Sequence, residues 1–129
     1  MFLIHKIDDG RNAPLEFLPI SAIQPKVGLA LTQSSGKLAV CSGTTKPTYI
    51  CMTETAAAVA AGTIVPVVRV DSDMVFETEF SASAAAINLG DKVTIASDGL
   101  RVTATTTSGV AEVVEILDSA SGGACRVRF

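Results

Sequence analysis

One histidine, three cysteines and one dense acidic run are the side chains of this sequence with the most chemistry in them. His5 is the only histidine, and general-base work needs it beside a nucleophile and a third group that orients it. It sits instead in an alternating apolar run, and the Gly-x-Ser-x-Gly elbow that would present a reactive serine is absent. Cys41, Cys51 and Cys125 leave an odd thiol whatever pairs, and their spacing matches no Cys-x-x-Cys zinc or redox pattern. All three are expected as buried, reduced, small apolar residues. Asp71, Asp73, Glu77 and Glu79 are the densest acidic group, but a calcium loop needs oxygen ligands at set intervals around a turn glycine, and Met74-Val75-Phe76 interrupts it. The solvated face of a strand is the expected reading. Gly90, Gly99, Gly109, Gly122 and Gly123 are separated by strand-like runs and build no phosphate loop. No catalytic residue, cofactor or metal site is therefore expected.

The elements that hold these residues repeat with a period of two, not 3.6, and Val, Ile and Thr are abundant, which points to strands. Met74–Phe80 sets Met74, Phe76, Thr78 and Phe80 on one face and Val75, Glu77 and Glu79 on the other. Lys92–Ala96 and Leu100–Ala104 alternate on either side of Ser97-Asp98-Gly99; this predicts a hairpin, because glycine accepts the positive φ of a tight turn. Ser34-Ser35-Gly36 predicts another, joining Gly28–Gln33 to Lys37–Cys41. Further strands are expected at Phe2–Ile7, Thr48–Met52, Thr63–Val70, Val110–Leu117 and Cys125–Phe129, the last alternating Cys125, Val127 and Phe129 against Arg126 and Arg128. Pro66 cannot donate to a ladder, so Thr63–Val70 is expected at an edge or bent there. Ala56–Ala61 reads equally as one short helix, capped by Thr53 or Thr55 and stopped by Gly62, or as a loop of small residues. The expected fold is all-β, a small β-barrel or β-sandwich with an extended N-terminal arm and at most one short helix.

Residues 1–26 read as an N-terminal strand and extended arm, and residues 27–129 as a single β domain. Between Asp8 and Lys26 stand Gly10, Pro14, Pro19 and Pro25, and each proline favours extended backbone before it. Leu15, Phe17, Leu18, Ile20 and Ile23 follow no clear period there and need a surface to lie on, either their own domain's or a neighbour's. These five are the candidate partner-binding residues.

Composition narrows the function classes. With 129 residues, 48% hydrophobic and 18% charged, the chain has material for one core. Aromatic residues are only 5%, with no Trp, which disfavours stacking platforms for sugars or single-stranded nucleic acid. A net charge of -3 lacks the clustered Lys and Arg that phosphate backbones require. The apolar start is broken by His5, Lys6, Asp8 and Asp9, too soon for a signal core or membrane helix, so no membrane partner is expected and the cytosol is the expected place of synthesis.

Ala84-Ala85-Ala86-Ile87-Asn88-Leu89-Gly90-Asp91-Lys92-Val93, Asp98-Gly99-Leu100-Arg101-Val102, Gly109-Val110-Ala111-Glu112-Val113 and Gly122 to Phe129 form an ordered series. It resembles the closing half of the tailed-phage head decoration, or capsid cement, proteins. Gly28-Leu29-Ala30-Leu31, Gly36-Lys37-Leu38 and Ala60 to Val67 extend the resemblance over residues 27–129. The resemblance implies a structural protein on the capsid exterior of a virion, made in the host cytoplasm, that binds the major capsid protein and bridges its subunits noncovalently. It also implies a homo-oligomer, trimers being common among similar proteins. Two alternatives stay open. A lipoyl-type carrier would need a lysine at a hairpin tip, where Ser97-Asp98-Gly99-Leu100 has none and Lys92 lies in a strand. An enzyme with an intersubunit active site would bring residues such as His5 and Asp71 together only on assembly.

Overall fold

Alternating apolar residues become ladders in a computed structural model that describes residues 1–129. Ten strands form and no helix does: β1 (Leu3–Ile7), β2 (Leu15–Pro19), β3 (Ala30–Ser34), β4 (Lys37–Val40), β5 (Tyr49–Cys51), β6 (Ile64–Arg69), β7 (Met74–Glu79), β8 (Lys92–Val93), β9 (Ala111–Ile116) and β10 (Ala124–Arg128). They make two antiparallel five-stranded sheets, β1-β7-β10-β9-β8 and β2-β6-β5-β3-β4, packed as a sandwich.

The main core lies between the sheets. Phe76, Cys125, Val127 and Val113 line the inner face of the first sheet, and Ala30, Ile50 and Val68 come from the second. Phe129 meets Phe2 edge-on at 5.4 Å between centroids and Phe76 at a tilt at 5.6 Å, and the edge-on pair suits the ring quadrupoles. The opposite face of the second sheet buries a smaller core of Leu31, Tyr49, Cys51, Val65 and Val67, covered by Ile20, Leu29 and Leu38. Each of these side chains contributes about 1.5–3 kcal/mol by leaving water. The second sheet curls so that Ile20, just past β2, bridges Leu38 of β4, yet the barrel does not close.

Several expectations are refined. Ser35 and Gly36 form the two-residue β3–β4 turn with φ of 49° and 74°, as the primed hairpin turns require. At Asp98-Gly99 the turn is present, with Ala96 N–H donating to Arg101 C=O at 2.8 Å, but Leu100–Ala104 does not become a strand. Val102 there bridges both Ile95 and Phe80, one residue each, so the segment lies between two neighbours instead of along one. Ala56–Ala61 is irregular chain. Residues expected as an extended arm contain β2, paired with β6 from Leu15–Val68 to Pro19–Ile64.

Pro66 is not at an edge, since β6 lies between β2 and β5. It is tolerated because the β5 ladder stops there. Met52 N–H donates to Pro66 C=O at 3.0 Å, and the reciprocal bond, which proline cannot make, falls just past the end of β5 at Cys51.

Candidate docking surface

Pairing in an antiparallel sheet puts opposite residues on one face. Phe17 stands opposite Pro66, and Pro66 is bonded to Met52, so these three make a row across β2, β6 and the end of β5. On one side of that row Pro19 pairs with Ile64; on the other Leu15 pairs with Val68, which pairs with Ile50. Only the Val68–Ile50 end of this face is covered by the first sheet. The overhanging end is bare: Phe17 is 64%, Ile64 58% and Leu15 51% exposed, with Met52 also exposed. Next to it a groove of about 470 Å³ is lined by Ile4, Ile7, Ala13, Leu15, Met52 and Val68 among others. Exposed apolar residues set side by side in this way form a candidate interaction surface.

The outer face of the first sheet is mostly charged. Glu77, Arg126 and Glu115 stand in one cross-strand row and Lys92, Glu112 and Arg128 in another, a bulge at Val114 keeping both glutamates on this side. Arg126 bonds Glu77 at 3.2 Å and also Glu115. Arg128 donates to Asp8 at 2.8 Å, and that bond holds the Asp8 carboxyl below the ordinary carboxylate range. On this face Arg126 and Arg128 are paired with carboxylates, while Lys92 and Glu112 face water and Leu3 stands exposed beside Glu77.

The five apolar residues picked from the sequence divide by alternation. Leu15 and Phe17 point to the bare face, whereas Leu18, Ile20 and Ile23 turn to the smaller core, Ile20 completely buried. Ile64 and Met52 were not singled out in the sequence, although Ile64, Pro66 and Val68 sharing one face of an alternating run was visible there. His5 is exposed, the extra residue of a bulge in β1. The acidic run is split: Asp71 and Asp73 face Arg11, and Glu77 faces Arg126. The three thiols are buried and unpaired, and burial pushes Cys41 up to about 11 and Cys125 up to about 12.

No protein-family model matches the chain, and no match to it is found among curated proteins.

Proposed function

We propose that this protein is a non-enzymatic structural module that binds the major capsid protein of a tailed phage or prophage and stabilises the capsid lattice by bridging its subunits. The observation that supports this reading is the bare apolar row Phe17–Pro66–Met52, flanked by Leu15 and Ile64, on a sandwich whose charged face pairs its arginines with its own carboxylates. The ordered motif series over residues 27–129 supplies the capsid class. A lattice repeats its sites, so modest apolar contacts from each copy add up through linked binding.

Co-sedimentation with expanded capsid shells encoded beside this gene tests the proposal. The chain is expected to bind at a fixed ratio to capsid subunits and to raise the temperature at which the shells come apart. Absence of binding to those shells overturns it, and so does a neighbourhood of genes without a capsid or portal protein.

A further inference from the structure

β2 is an edge strand of its sheet, and neighbouring hydrogen bonds fix the direction of its backbone groups. Met52 N–H donates to Pro66 C=O, and Val70 N–H donates to Thr48 C=O, both at 3.0 Å, so the even-numbered residues of β6 face β5. Val65 and Val67 therefore face β2, and their partners Leu18 and Glu16 use their backbone groups inward. Leu15 and Phe17 are left with two N–H donors and two C=O acceptors directed away from the sheet. No turn or loop of the chain bonds to them. Further along, Ser21 N–H is taken by Leu38 C=O at 2.8 Å, and a depression of about 250 Å³ opens between Leu18–Pro19 and the β3–β4 hairpin.

We propose that this open edge takes up an extended segment of the partner chain as an added β-strand, with apolar residues opposite Leu15 and Phe17 and an uncharged or basic residue opposite Glu16. The partner's identity rests on the capsid-binding reading. An unpaired strand edge is a template for another strand, and apolar side chains beside it supply the contact that hydrogen bonds alone lack. A second copy of this chain fits the edge poorly. An antiparallel β2–β2 pair using all four free groups must set Leu15 opposite Phe17, which puts Glu16 directly against Glu16 of the other copy at the close, non-bonded spacing; each carboxylate is already held by its own Arg69, at 2.8 and 3.0 Å, so neither copy offers the other a free counter-charge.

Two substitutions at each position separate backbone pairing from side-chain contact. Phe17→Ala removes the ring and keeps the outward N–H; Phe17→Pro removes both and touches no bond to β6, a placement proline tolerates in edge strands. Leu15→Ala and Leu15→Pro form the second pair. Affinity for the expanded shells is measured by co-sedimentation, and the unfolding midpoint of each free variant is measured alongside. Each proline variant is expected to bind about fivefold more weakly than its alanine counterpart, the worth of one hydrogen bond, at a similar unfolding midpoint. Equal affinity within both pairs overturns strand addition and leaves apolar docking standing, whereas failure of the unsubstituted chain to bind overturns the docking reading itself. Should the proline variants unfold, hydrogen exchange on the unsubstituted chain decides: the 15–17 amides are expected to gain protection on shells, and unchanged exchange overturns the inference. A dimer of the free chain that Phe17→Pro abolishes would assign the edge to a second copy and overturn the partner strand.

Discussion

Three buried thiols are the residues whose chemistry the fold suppresses most. A thiolate is the reactive form, and burial raises the proton affinity of Cys41, Cys51 and Cys125, so at neutral pH they behave as small apolar groups. The sign of the linked stability follows. A thiol that ionises near 9.0 unfolded but near 11 or 12 folded contributes fully below pH 9 and loses that contribution as the pH rises through the folded values. The urea midpoint is expected to fall as the pH rises above about 9, with Cys125→Val flattening part of the fall. A fall that Cys125→Val leaves unaltered would contradict it. This much was legible in the sequence, because an odd cysteine count at irregular spacing excludes a full set of bridges. The pairing of Arg11 with Asp73 was not, since 62 residues separate them and only folding brings them together.

Elements were legible where one face is wet. β7 alternates buried Phe76 and Thr78 with Glu77 and Glu79, so period and face could both be read. β2 was hidden for the opposite reason: Leu15 and Phe17 on one side and Leu18 on the other are all apolar, and flanking prolines mask the period. A strand whose two faces serve two different surfaces carries no polar marker. Leu100–Ala104 failed differently, since alternation predicts a strand but not whether a neighbour lies alongside it for more than one residue. The β3–β4 turn offers a test at this scale. Ser35 holds a φ of 49°, which a serine adopts at a cost that asparagine or glycine avoids. Ser35→Asn is expected to stabilise the fold by about 0.5–1 kcal/mol, raising the melting temperature by roughly 2–5 °C. An unchanged or lowered midpoint would mean that Ser35 carries no such conformational cost in this turn.

The whole molecule is asymmetric in a way that neither sheet is by itself. One outer face is a lattice of cross-strand charges around Arg126 and Arg128; the other end leaves Phe17, Ile64, Leu15 and Met52 bare beside a free strand edge. Other exposed apolar residues, Leu89, Leu117 and Leu3 among them, belong to or adjoin the first sheet, and the proposed partner would meet the Phe17 end. All-β architecture was legible from the alternation. Which apolar residues stay outside was not, because that depends on how far the first sheet covers the second. Affinity for expanded capsid shells, measured for single alanine variants on both faces, tests the central claim most directly. Phe17→Ala and Ile64→Ala are expected to weaken binding about tenfold or more, near 1.4 kcal/mol each, while Lys92→Ala and Glu112→Ala stay within about twofold. The reverse order, with the charged face carrying the loss, would contradict this account.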